Sequence, residues 1–220
     1  MVGLDDGDLV ALGAGDGLGE GHVGVPGEDG VDVLGEARGR GGRVLVAEHD
    51  DDVGLTVGGV AVLELGGTGI GGGTLQGLSR IMLKTDDIKQ VAELAKSGDI
   101  SKINLLIGDI SAHPLPGLPM SATASLFSNA KTNASREDIA IGLIYMVLQA
   151  VGSSTILSSL ESGIKDFVLI GNLTLLPQCR EVYDAMEKLY NVHFHIPKHS
   201  EFCTAIGAAL SYRNNSFATR

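Results

Sequence analysis

The stretch Gly66-Gly67-Thr68-Gly69-Ile70-Gly71-Gly72-Gly73-Thr74 packs six glycines and two threonines into nine residues. It is entered from the apolar run Val60-Ala61-Val62-Leu63, and Leu75 to Leu83 can begin a helix after it. Glycines let the backbone take positive φ and come close to a ligand. Successive backbone N–H groups in such a turn converge on an anion. A helix N-terminus adds its partial positive charge. The chemistry this spacing serves is holding the phosphates of a nucleotide. No Lys-Ser or Lys-Thr follows the last glycine, so it is not a Walker A loop. No βαβ unit with an acidic strand end follows either, which sets it apart from a Rossmann fingerprint. A flexible linker is the plain alternative, but linkers mix in serine and seldom sit between two apolar elements.

Other residues with chemical potential are sparser. Cys179 and Cys203 are far apart and read as ordinary thiols of a cytosolic protein. His193 and His195 fall on one face of an expected strand, but two ligands do not make a metal site, and no metal ligands are assigned. Gly13-Ala14-Gly15-Asp16-Gly17 hints at a calcium-binding repeat, yet no nine-residue period continues.

The elements that must position the loop are legible around it. Asp86 or Asp87 caps a helix through Val91, Leu94 and Ala95 that stops at Gly98. Asp99 to Ile110 reads as a second short helix. His113 to Pro119 carries three of the six prolines and must be a loop. Ser121 to Ser125 is small and polar, suited to close packing or a ligand wall. Ser135-Arg136-Glu137-Asp138 starts a helix, with Ser135 as N-cap and acids in the first turn. It runs through Ile141, Ile144, Tyr145, Leu148, Val151 and Ile156 to about Leu160, apolar over most of its surface and therefore buried. Gly142, Gly152 and Ser153 on it read as packing positions. Phe167-Val168-Leu169-Ile170 is a buried strand, and Gly171-Asn172 follows at its carboxyl end, where ligand crevices of open α/β sheets lie. A helix spans roughly Pro177 to Tyr190, a strand Asn191 to Ile196, and a last helix Phe202 to Tyr212. The layout is α/β.

The chain has 220 residues and a net charge of −11, which disfavours a nucleic-acid partner. No run of 18 apolar residues occurs, so no membrane span is expected. There is no signal-peptide pattern. The charge is unevenly placed. Residues 1–65 hold 14 acids against 3 bases and 17 of the 32 glycines, whereas the remainder has 13 of each charge. The first segment also lacks Ile, Lys, Ser, Asn, Gln, Phe, Tyr, Cys and Trp. Apart from Met1 and Thr56, its residue types all have codons beginning with G or C, as in a GC-rich gene read in the wrong frame or on the opposite strand. Two segments are therefore expected: 1–65, acidic, Gly-rich and disordered or mistranslated, and 66–220, a nucleotide-binding domain.

Gly66 to Leu78, Ala95-Lys96-Ser97-Gly98-Asp99, Ser121 to Ser128, Val168 to Asn172 and Gly207-Ala208, in this order and at these spacings, resemble type II (eukaryotic-like) pantothenate kinases. The resemblance covers residues 66 to 212, the C-terminal half of that family. It implies an actin-like ATPase fold with ribonuclease-H-like halves, a mixed sheet with packed helices, and ATP between the halves. It implies phosphorylation of pantothenate by ATP with Mg²⁺, the first step toward coenzyme A. Gly69, Gly71, Gly72, Gly73, Thr74 and Leu75 would then contact ATP, with Asn172 beside the nucleotide. The resemblance further implies a cytoplasmic homodimer, with the helix from Ser135 as one interface element, and acyl-CoA as a further ligand. The family's first half supplies an Asp-x-Gly-x-Thr phosphate loop and a catalytic Glu. Asp52-Val53-Gly54-Leu55-Thr56 fits those letters ten residues before Gly66, and Asp5 to Leu9 lies near the terminus without the Thr; both read as chance. Glu48 and Glu64 do not align with the catalytic Glu, so no catalytic residue is assigned. Two alternatives stay open: a non-catalytic nucleotide- or acyl-CoA-binding fragment, and another kinase or ATPase of the same superfamily.

Overall fold

A computed structural model describes residues 9–13, 44–47, 56–57, 60–64, 68–160 and 163–206, the first four segments by their backbone. Along the chain these form β1 (Leu9–Gly13), β2 (Val44–Ala47), β3 (Thr56–Val57), β4 (Val60–Glu64), α1 (Gly72–Met82), α2 (Ile88–Ala95), β5 (Leu105–Leu106), α3 (Ile107–Ile110), β6 (Thr123–Ser125), α4 (Arg136–Ser159), β7 (Asp166–Ile170), α5 (Pro177–Tyr190) and β8 (His193–His195). Short 3₁₀ turns occur at Ile100–Lys102, Asn172–Leu175 and Ser200–Phe202. The chain divides into two compact units. One comprises Met1–Gly69, Ser153–Leu175 and Asn191–Arg220, the other Ile70–Gly152 and Leu176–Tyr190.

The first unit holds a six-stranded sheet in the order β3-β4-β2-β1-β7-β8. Its pairings are parallel except β3 with β4, which is antiparallel. Phe167, Val168, Leu169 and Ile170 of β7 are all buried, as a strand covered on both faces requires. Phe167 meets Phe194 of β8 with ring centroids 5.3 Å apart. Four of the described strands, β1 to β4, come from residues 1–65. β1, β2 and β4 pair in register, and β1 lies directly beside β7. The physical reason is local. Leu9-Val10-Ala11-Leu12, Val44-Leu45-Val46-Ala47 and Val60-Ala61-Val62-Leu63 are short apolar runs, each with valine, suited to parallel strands. The average composition conceals them.

The second unit is mainly helical. Asp87 caps α2, its carboxylate accepting from Lys89 N–H at 2.9 Å. Ser135 caps α4 and accepts from Asp138 N–H at 3.1 Å. Asp138 Oδ2 in turn accepts from Ser135 N–H at 3.4 Å, the reciprocal arrangement of a capping box. Leu75, Leu83, Val91, Ala95, Ile103, Leu143, Ile144, Val147 and Val182 form its core. By length and composition α4 could cross a membrane, but half of its apolar window is buried inside the fold, as in a core helix. The single helix expected over 99–110 is instead a 3₁₀ turn, strand β5 and one helical turn. Asn104 decides this: it is fully buried and its Oδ1 accepts from Phe127 N–H at 3.0 Å. Leu105 and Leu106 pair with β6, so the polar Thr123 to Ser125 stretch is a strand. The last helix begins as a 3₁₀ turn at Ser200 and continues as a helical turn over 203–206.

Candidate functional site

Gly69 adopts a φ of +65°, in the left-handed region that favours glycine. Thr68, Gly69 and Ile70 are exposed. Gly71 is the N-cap of α1, which starts at Gly72, three residues before the Leu75 start expected from the sequence. Its N–H donates to Thr74 Oγ1 at 3.3 Å, and its carbonyl accepts the Leu75 N–H at 3.0 Å. Gly72 and Gly73 form the first turn. Gly71, having no side chain, makes no side-chain cap hydrogen bond to the first turn. Among the described residues, nothing lies within 4 Å of a Cβ built at Gly69 or at Gly72. The Leu75 side chain is fully buried and anchors the helix behind the loop. Six of the expected contact residues, Gly69, Gly71, Gly72, Gly73, Thr74 and Leu75, thus share one turn and the helix it opens.

Asn172 lies in the first unit, as Gly69 does, whereas Gly71 to Leu75 lie in the second. It is exposed and opens the 3₁₀ turn that follows β7. Gly171, just before it, has a φ of +93°. The Gly171 N–H donates to the Ser200 carbonyl at 2.8 Å. The Gly171 carbonyl accepts from the Thr174 hydroxyl at 2.7 Å. The hydroxyls of Thr174 and Ser200 lie 2.6 Å apart. Thr174 and Ser200 were not legible as partners in the sequence, because 26 residues separate them and neither stands in a motif.

The paired histidines resolve differently from a metal pair. His195 Nε2 lies 2.8 Å from Asp166 Oδ1, and His193 is exposed on the same edge strand. Among the described residues no cluster of three or more His, Cys, Asp or Glu side chains is placed to hold a metal ion. Cys179 and Cys203 are both buried thiols, and burial raises the Cys179 thiol to about 11, which leaves it protonated near neutrality. Gly66, Gly67, Asp5 to Asp8, Glu48, Asp52 to Leu55, Gly207 and Ala208 lie outside the described residues.

A glycine turn opening a helix is an arrangement that suits anions, and comparison with known proteins decides the family. The Fumble family profile matches residues 57–211, well over half of the chain. The chain belongs to the Fumble family, that of the type II pantothenate kinases. It is 30% identical over 166 residues to pantothenate kinase 2 of Arabidopsis thaliana, a match covering 68% of this chain and 18% of that protein. It is 28% identical over 170 residues to pantothenate kinase 1 of the same plant, covering 69% and 43%. It is 30% identical over 113 residues to the type II pantothenate kinase of Bacillus cereus strain G9842, covering 50% and 41%. The chain therefore spans less than half the length of these relatives. The family match includes the glycine loop, Asn172, Thr174 and Ser200, and begins after Asp52 to Thr56. The mixed α/β fold, with packed helices, is of the kind a kinase domain uses.

Proposed function

We propose that this chain supplies the nucleotide-binding part of an ATP-dependent pantothenate kinase of the actin-like ATPase superfamily. The observation that carries the reading is the glycine turn Gly69–Thr74 opening α1 inside a segment of Fumble-family sequence. The backbone of Gly69, Gly71, Gly72 and Gly73, with Thr74, would cradle ATP phosphates, and the α1 N-terminus would add its field. Leu75 would hold the helix in place from the core. Asn172 would meet the nucleotide from the end of β7. Phosphoryl transfer asks the protein for positioning and charge stabilisation rather than covalent chemistry. Mg²⁺ would travel with the ATP phosphates and neutralise their charge. Acyl-CoA as a further ligand, a homodimer and a cytoplasmic location belong to the same reading.

A second reading, nucleotide or acyl-CoA binding without turnover, is favoured by one observation. The Asp52 to Thr56 letters of a second phosphate loop fall outside the family match. Calorimetric titration with ATP, followed by a search for phosphorylated pantothenate, separates the two. ATP binding with product supports the kinase reading, and binding without product supports the second. Absence of ATP binding by the folded chain overturns both.

A further inference from the structure

Thr174 and Ser200 close a ring of hydrogen bonds around the turn that ends β7. Gly171 N–H donates to the Ser200 carbonyl, and both the hydroxyl and the N–H of Thr174 donate to the Gly171 carbonyl, at 2.7 and 3.2 Å. The Thr174 proton is thereby committed, so across the 2.6 Å contact the Ser200 hydroxyl is the donor. Ser200 is 4% exposed. The backbone is left-handed on both sides of the ring, at Gly171 with φ +93° and at His199 with φ +59° and ψ +34°. A non-glycine residue seldom adopts that region. Conformations of this kind persist where surrounding contacts over-determine them, and they gather at ligand sites. A strand end needs a glycine to turn, but it does not need a half-buried threonine hydroxyl on that glycine's carbonyl, itself held by the hydroxyl of a buried serine whose carbonyl takes the same glycine's N–H. What they fix is the direction in which the exposed Asn172 leaves the strand.

We propose that Thr174 and Ser200 are positioning residues for nucleoside triphosphate recognition. They hold the Gly171–Asn172 turn in its ligand-ready conformation and touch no substrate themselves. This rests on the reading of Asn172 as a nucleotide contact. The test uses the whole 220-residue chain with Thr174→Val, Ser200→Ala and the conservative Thr174→Ser, measuring ATP affinity, Gly171 amide exchange and thermal midpoint. Thr174→Val and Ser200→Ala should each weaken ATP binding roughly three- to tenfold, the range of one lost neutral hydrogen bond. Both should speed exchange at Gly171, and Thr174→Ser should restore affinity. Combined with Asn172→Ala, Thr174→Val should add no further loss, because the two then act through one contact. Faster Gly171 exchange or a lower midpoint with unchanged ATP affinity overturns the proposal. A full additional loss on top of Asn172→Ala does the same. If the unaltered chain fails to bind ATP while Gly171 stays protected, the nucleotide reading itself falls. That outcome is separable from failure of the clasp because it appears before any substitution is made.

Discussion

Among the described residues no atom lies within 4 Å of a Cβ built on Gly72, so valine there extends away from the described core. Gly72→Val should leave folding intact, apart from the modest helix cost of a β-branched residue, while filling the volume a phosphate would occupy. ATP affinity should fall at least tenfold with an unchanged circular dichroism spectrum; full affinity in the folded variant would remove the loop from the site. Asp138 carries a different kind of weight. Its side chain is 5% exposed and accepts Asp99 N–H at 2.9 Å, with Lys102 Nζ 3.7 Å away. The Asp99 backbone bond is the main cause holding its carboxyl below the usual range, against the opposing effect of burial. A lowered folded pKa stabilises the fold above the unfolded value of about 3.9, and the contribution is lost as pH falls through the lowered value. Asp138→Asn should therefore destabilise by about 1–3 kcal/mol at neutral pH and less at pH 3. Urea unfolding of both proteins at the two pH values checks this, and a gap that widens on acidification would contradict the assignment. Ser135 and Asp138 were legible as a cap from their spacing. The bond from Asp99 was not, because it joins groups 39 residues apart.

Gly98, Gly142 and Gly152 show how closely the elements approach. A Cβ at Gly98 would fall inside contact distance of the Glu137 carbonyl oxygen and 2.7 Å from the carbonyl carbon, at the start of α4. One at Gly152 would meet the Met186 thioether end at 2.8 Å and a Tyr183 ring carbon at 2.9 Å. Backbone cannot step aside, whereas the end of a methionine side chain can. Gly98→Ala should cost about 3 kcal/mol or more and Gly152→Ala nearer 1 kcal/mol, with the second relieved by Met186→Ala. Equal costs in denaturant titration would mean that the α4 start yields as readily as a side chain. Periodicity and caps made α2, α4, β7 and α5 readable, since each stands on local rules. Residues 99–110 were not readable, because Asn104 and the β5–β6 pairing are tertiary contacts that override a local helical pattern. The glycine loop was visible as composition. Its ordering, with Gly71 as cap and Gly72 in the first turn, depends on a helix start that propensity alone puts later.

Across the whole molecule, charge, family match and fold divide the chain at different places. The net −11 lies in residues 1–65, the family match begins at residue 57, and the sheet takes strands from both sides of that point. The Fumble segment carries the glycine loop and Asn172, which serve the nucleotide in the proposed function. Transfer of the γ-phosphoryl group also needs charge stabilisation from a second direction and a group to orient the pantothenate hydroxyl. A positioned general base typically contributes about 10²–10⁴-fold in rate, and preorganised electrostatics is often the larger part. The sequence letters nearest to those tasks, Asp52 to Thr56, precede the family match, and Glu64 lies in β4, paired through its backbone with Val46. The 220-residue chain should therefore bind ATP and turn over pantothenate below about 1 s⁻¹, the lower end of the usual kinase range. A coupled assay with pantothenate, ATP and Mg²⁺ measures this directly. Turnover at or above about 1 s⁻¹ would mean that residues before the glycine loop supply the missing groups. Asp52→Asn, Thr56→Val and Glu64→Gln would then be expected to abolish it one by one, because a phosphate clamp and a base act as a unit and do not substitute for each other.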